Sequence, residues 1–415
     1  MHRRVLMLNG NVMIGQSGGP TSVINASLVG VFKTARDAGC QNIYGMRNGI
    51  EGLLQERFVN LSDYIKNDLD IELLKRTPSS FLGTCRYKLP HADKAPETYA
   101  RIFEILDKLG VKYFFYIGGN DSMDTIMQLS EFAKTINSDI RFMGVPKTID
   151  NDLACTDHTP GFGSAAKYIA SVMKEIIRDA RSFPNDSITV VEVMGRNAGW
   201  LTAATALASS EDCTGPDLIY LPEVVFDFDK FVAQIREKKK HSHAVVLAVS
   251  EGVKTADGKY VCEANKHTNI VDSFGHKVLG GTALYLADAL ADEFGFKCRG
   301  IVLTTLQRCA SHLVSRRDIT EAYMAGADAM IAAMRGETGK MIVFKRISDH
   351  PYSIVSDVMD IREIANKEKR VPAEWIINDG TYIAPEFCNY ARPLIIGELD
   401  PFMVDGLPRH LFIDK

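Results

Sequence analysis

Short apolar runs alternate along this chain with longer stretches of helical period, and that alternation leaves few folds open. The runs are NVMIG (11–15), YFFYI (113–117), RFMGV (141–145), ITVVEVM (188–194), DLIYL (217–221), AVVLAVS (244–250), GIVLTTL (300–306) and MIVFK (341–345). They are rich in Val, Ile, Phe and Tyr, and several are apolar throughout, as suits parallel strands covered on both faces. Helical patterns lie between them at 164–181, 281–294 and 318–334. The order predicts a doubly wound α/β protein. A chain of 415 residues has room for two or three domains. No repeat, low-complexity tract or flexible linker divides it. Residues 371–397 hold prolines and aromatics without a period and are expected to form an irregular C-terminal cap.

Charge narrows the function. The net charge of −4 argues against a general nucleic-acid or membrane-surface binder, while leaving room for local basic pockets. The eight cysteines show no CxxC pair and read as free thiols of a reducing compartment. No apolar run has the length of a bilayer span. The beginning, MHRRVLMLNGN, carries only the short apolar run Val5–Leu8, too short for a signal peptide, and a cytoplasmic location is expected.

In doubly wound folds ligands gather beyond the carboxyl ends of the strands, so the residues after each run carry the functional reading. GQSGGP follows the first run; Gly18 and Gly19 let backbone amides approach an anion at a helix start. The same turn also serves as a plain tight connection, and it lacks both the P-loop lysine and the GxGxxG spacing. GGNDS repeats the arrangement with Gly118, Gly119 and Ser122. There Asp121 or Ser122 is expected to cap the helix, and Asn120 and Asp121 could reach a metal-bound phosphate.

PKTIDND is the most specific stretch. Asp150 and Asp152 lie two apart, so in an extended loop they point the same way, one to take a proton and one to hold a metal or tune its neighbour. Lys147 brings positive charge for a phosphate. An Asx-rich turn is the alternative. Arg86, Arg196, Arg299 and Arg308 stand beside glycine loops or strand ends, and Arg matches phosphate oxygens with a fork of donors. Four of them point to a ligand with more than one phosphate. Glu251, directly after a run, suits either a sugar hydroxyl or a salt bridge. His158 reads as structural.

Taken in order, SGGP, FLGTCR, GGNDS, PKTIDND, TDHTPGFGSA, VVEVMGRNAGW, SEG and RGIVLTTLQR resemble the phosphofructokinase family from about residue 11 to beyond 330. The resemblance implies two Rossmann-like doubly wound domains facing a cleft, with an irregular C-terminal extension. Residues 1–160 with about 300–365 would form the donor half, and 161–300 with about 366–415 the sugar half. The implied reaction transfers a phosphoryl group to the 1-hydroxyl of fructose 6-phosphate. Asp150 would be its base, assisted by Asp152. Thr148, Ile149, Met194, Gly195, Arg196, Glu251, Arg299, Thr305 and Arg308 would hold the sugar phosphate, and Arg86 would bridge donor and acceptor. Gly18, Gly19, Gly118, Gly119 and Ser122 would cradle the donor.

Asp121 and Lys147 match the pair that marks pyrophosphate-dependent members. A carboxylate there repels the α-phosphate of ATP, and two like charges about 4 Å apart cost on the order of several kcal/mol. Pyrophosphate has no α-phosphate. Mg²⁺ is implied as cofactor, with Asn120 standing where ATP-using members carry a metal-binding aspartate. Thr305 replaces a larger residue. Ser187 replaces an arginine that crosses a subunit interface in many bacterial members, which leaves that contact open. A homo-oligomer, dimer or tetramer, is implied. The rival expectations are an ATP-dependent enzyme and a non-catalytic regulatory subunit.

Overall fold

The computed structural model describes residues 9–264 and 279–413; the run Val5–Leu8 lies outside them. The main strands are β1 (Asn11–Gln16), β2 (Ile43–Met46), β3 (Phe58–Asn60), β4 (Val111–Gly118), β5 (Arg141–Pro146), β6 (Ser187–Val193), β7 (Leu218–Tyr220), β8 (Ala244–Ser250), β9 (Cys298–Val302), β10 (Lys340–Asp349) and β11 (Tyr352–Asp360). The longer helices are α1 (Ile24–Asp37), α2 (Pro96–Lys108), α3 (Asn120–Thr135), α4 (Phe162–Ala180), α5 (Phe228–Lys239), α6 (Thr282–Phe294) and α7 (Arg316–Met334).

The first sheet has the order β11-β10-β5-β4-β1-β2-β3. Its five central strands are parallel, and β11 and β3 are antiparallel edges. Successive side chains of a strand point to opposite faces, and here both faces are covered. Val12, Ile14, Phe115 and Ile117 pack with α1 and α7. Met13, Phe114 and Tyr116 pack on the other side with α2 and α3. Phe114 and Phe115 are therefore consecutive yet both fully buried, which is why the sequence reads as a continuous apolar run. Helices α1 and α7 cross backbone to backbone: a Cβ on Gly30 would stand 2.1 Å from the Tyr323 carbonyl oxygen.

The second sheet, β7-β8-β6-β9, is parallel throughout. Val191, Val193, Val246 and Ala248 pack towards α4. Ile188, Val190, Val245 and Leu247 pack towards α5 and α6. The run GIVLTTL is only partly strand. β9 stops at Val302, and Thr304, at φ 49°, turns the chain into the short helix Leu306–Cys309. The C-terminal extension includes one helix, Pro385–Ala391, whose Phe387 is buried beside Trp200 and Trp375. Its last residues run to the first sheet's side, where Leu411 and Ile413 meet the α1 and α7 layer. Among the described residues no helix is long and apolar enough to cross a membrane.

Candidate active site

The carboxyl ends of the parallel strands of both sheets open on one cleft of about 840 Å³. Ser17–Pro20 enter it after β1, Gly119–Ser122 after β4, Lys147–Asp150 and Asp152 after β5, Met194 and Arg196–Ala198 after β6, Glu251 after β8 and Arg308 beyond β9. Arg86 enters from the segment between β3 and α2.

The first glycine turn is built for close approach. Gly18 has φ +76°, and a Cβ there would stand 3.2 Å from Lys147 Nζ. Its carbonyl accepts from Thr84 Oγ1 at 2.6 Å, and its N–H donates to the Cys85 carbonyl at 3.3 Å, so the Arg86 segment and the turn hold each other. Lys147 is 3% exposed and donates to the Gly19 carbonyl at 2.8 Å. Burial lowers its pKa to about 8, against the opposing pull of Asp150 and Asp152. At the second turn, a Cβ on Gly118 would meet Ser122 Oγ at 1.9 Å, so only glycine lets the chain enter α3 so tightly. The expected side-chain cap is absent: the N-cap residue is Gly119, and Asp121 and Ser122 lie inside the first turn. The first amides of α3 are thus left without a capping side chain beside the cleft, with the positive end of the helix dipole.

Asp150 and Asp152 share the cleft, but not through an extended loop as expected. Asn151 between them is left-handed, at φ 54°. The turn is fixed on both sides. Asp150 N–H donates to Thr148 Oγ1 at 3.1 Å, and Thr159 Oγ1 donates to the Thr148 carbonyl at 2.7 Å. Burial raises the pKa of both carboxyls; Lys147 draws Asp150 back down, whereas the Asp150 charge pushes Asp152 further up.

Glu251 accepts from the Gly195 N–H at 3.3 Å, and burial raises its pKa to about 7. Gly195, at φ +141°, lets the chain pass so close that a Cβ would meet the Ala198 carbonyl at 2.7 Å. Gly118 and Gly195 shape the wall from behind rather than line it.

Two expected sugar contacts stand apart. Arg299 is the second residue of β9, about three residues or roughly 10 Å short of the strand's carboxyl end; it is exposed and paired with Asp179 at 3.5 Å. Thr305 is exposed beyond the turn at Thr304. The cleft also recruits Asn197, Tyr260, Asn366 and Glu368. Asn197 lies in GRNAGW, directly after a strand, where this kind of fold gathers its ligands. Asn366 and Glu368 arrive from a segment with no period and carried no signal.

A cleft where the parallel strands of two sheets end, lined by glycine turns, half-buried carboxylates and arginines, defines a class of enzyme that sets two anionic substrates for group transfer. Residues 11–332 match the Phosphofructokinase family model, and the chain belongs to that family. It is 39% identical over 407 residues to the pyrophosphate–fructose 6-phosphate 1-phosphotransferase of Halomonas elongata, covering 97% of this chain and 96% of the relative. It is 40% identical over 408 residues to the protein of the same name from Xanthomonas campestris, covering 98% and 96%. The crystal structure of the pyrophosphate-dependent phosphofructokinase of Nitrosospira multiformis superposes with a TM-score of 0.87 at 38% identity, covering 97% of this chain and 95% of that one.

Proposed function

We propose that this protein transfers a phosphoryl group from pyrophosphate to the 1-hydroxyl of fructose 6-phosphate, giving fructose 1,6-bisphosphate and phosphate in a reversible step. The observation that carries the reading is Asp121 and Lys147 in one cleft with Asp150. Asp121 occupies the first turn of α3, where a nucleotide's inner phosphate would meet like charge. Lys147 sits between the glycine turn and Asp150, placed for the phosphate that is transferred or released.

The half built on the first sheet, about 1–160 with 300–365, takes the donor. The half built on the second, about 161–300 with 366 to roughly 400, takes the sugar. Gly18, Gly19, Gly119 and Ser122 receive pyrophosphate through backbone amides and a hydroxyl. Met194, Arg196, Glu251 and Arg308 hold the sugar phosphate, with Thr148 and Ile149 beside it. Asp150 takes the hydroxyl proton, because it lies at the junction of the two sets and its half-buried carboxyl favours the protonated form. Arg86 and Lys147 offset the charge that develops on the moving group.

Phosphoryl transfer in this family generally needs a divalent cation, which neutralises charge on the phosphate oxygens when bound. We assign it as Mg²⁺. Asn120 Oδ1 is buried without a hydrogen-bond partner, and oxygens of Asp121 and Asp152 share the cleft. No group of three acidic, His or Cys side chains converges among the described residues. That fits an ion taking most of its ligands from substrate and water. Cytoplasmic location and a homo-oligomer, dimer or tetramer, complete the reading.

A coupled assay with each donor tests it: turnover with pyrophosphate and none with ATP is expected, and the reverse pattern overturns it.

A further inference from the structure

Asn151 lies between the two cleft carboxylates, yet no step above uses it. It is fully buried and left-handed. Its side chain is tied at both ends. Nδ2 donates to the Tyr390 hydroxyl at 2.8 Å, and Oδ1 accepts from the Thr159 N–H at 3.0 Å, with Lys369 Nζ 3.5 Å away. The Tyr390 hydroxyl itself donates to the Asp157 carbonyl at 2.7 Å. One hydroxyl therefore accepts from the turn and donates to the loop that leads from it into α4.

Tyr390 is itself immobilised. Its ring centroid lies 5.5 Å from that of Trp200 and 5.6 Å from that of Trp375, and the Arg346 guanidinium sits over it at 4.7 Å. The same C-terminal extension reaches the turn a second time, where the Lys369 N–H donates to the Asp152 carbonyl at 2.7 Å. Asp150 and Asp152 are like charges on one short turn, and each gains solvation if the turn swings towards water. The tether opposes that motion.

We propose that Tyr390 is a positioning residue for phosphoryl transfer: through Asn151 it holds the left-handed turn that keeps Asp150 and Asp152 aimed into the cleft. The proposal rests on the reading of Asp150 as base, and it gives the C-terminal extension a catalytic purpose.

The test is a double-mutant cycle on the full chain, assayed with pyrophosphate and fructose 6-phosphate. Tyr390→Phe removes only the hydroxyl. Asn151→Gly cuts the tether while keeping the left-handed backbone accessible. Each is expected to lower kcat roughly ten-fold, the scale of a small misplacement of a reacting group. KM for both substrates should stay within about two-fold, because the arginines and Glu251 stand on other loops. The double variant should be no slower than Asn151→Gly alone.

An unchanged kcat in folded Tyr390→Phe, with only a lower melting temperature, makes the hydroxyl merely structural and overturns the proposal. So does a raised KM at unchanged kcat. Losses that multiply in the double variant mean that Tyr390 does not act through Asn151. Should Asn151→Gly fail to fold, the split between kcat and KM in Tyr390→Phe decides alone. Asp150→Ser, run in parallel, separates the two readings: retained turnover there removes the base, whereas a normal kcat in Tyr390→Phe removes only the tether.

Discussion

A carboxylate beside a phosphate site is tolerated when the wrong ligand suffers more from it than the right one. Asp121 stands one residue into α3, where the helix dipole welcomes anions and the side chain does not. Asp121→Gly should therefore lower kcat/KM for pyrophosphate by roughly ten-fold or more and make ATP turnover measurable, since a lost like-charge contact is worth on the order of several kcal/mol. Steady-state assays with both donors check this, and an unchanged preference would remove Asp121 as the selector. Lys147 makes a second prediction. With its pKa lowered to about 8 by burial, the empty enzyme holds a mixture of amine and ammonium near that pH. A bound polyanion favours the ammonium. Pyrophosphate binding between pH 8 and 9 should thus take up protons, seen by calorimetry in buffers of different ionisation enthalpy. Lys147→Met should lose that uptake together with most of its kcat. Uptake that persists in the variant places the titrating group elsewhere.

At the scale of elements, the α1–α7 crossing sets how the first half is built. Gly326 faces the Ser27 carbonyl, which an added Cβ would approach to 2.0 Å, and Gly30 faces the Tyr323 carbonyl in return. Backbone cannot yield as a flexible side chain does. Gly326→Ala should cost about 1–3 kcal/mol or more of stability by forcing the helices apart. A lower denaturation midpoint with nearly unchanged KM checks it. Neither glycine announced itself in the sequence, because a contact between α1 and α7 spans some three hundred residues of chain. The longer parallel strands were legible for the opposite reason: burial on both faces writes itself as an unbroken apolar run, as in AVVLAVS, where all seven residues are buried; the parallel β2, four residues long and interrupted by a glycine, was not. β11 escaped notice, because its alternating half-exposed pattern belongs to an antiparallel edge. Of the site, residues directly after strands were legible, since the fold puts strand ends in one place. Arg299 shows the limit. Three residues of strand phase separate a cleft residue from a surface one, and that phase depends on where β9 stops. Asn366 and Glu368 were illegible because tertiary packing alone brings an aperiodic segment to the cleft, and Tyr390 because the same kind of packing sets it behind the Asp150–Asp152 turn.

For the molecule as a whole, the cleft is where stability and chemistry conflict. The cleft half-buries Asp150, Asp152 and Glu251, and burial outweighs the pull of the nearby cations, so the empty enzyme carries charge that it would hold more easily as protons. Glu251 allows the cost to be read out. Its folded pKa of about 7 lies above the ordinary 4.5, with burial the main cause. Below pH 4.5 both folded and unfolded chains carry the proton, and the full stabilising share of this group is present. As pH rises from 4.5 the unfolded chain ionises first, and that share is lost until the folded group ionises too, near pH 7. Glu251→Gln keeps an acceptor for the Gly195 N–H and removes the charge. It should therefore stabilise the empty enzyme at pH 8 by about 2–3 kcal/mol, the order set by a shift of this size. The gain should shrink as the pH falls from 7 and nearly vanish close to pH 4.5. Activity should fall at every pH, because a carboxylate suited to a sugar hydroxyl has been lost. Denaturant titrations of both proteins at pH 8 and 5 measure the difference. Equal stability at pH 8 would mean that the Glu251 carboxylate is solvated in the open cleft, and that the strain there is borne by the Asp150–Asp152 turn alone.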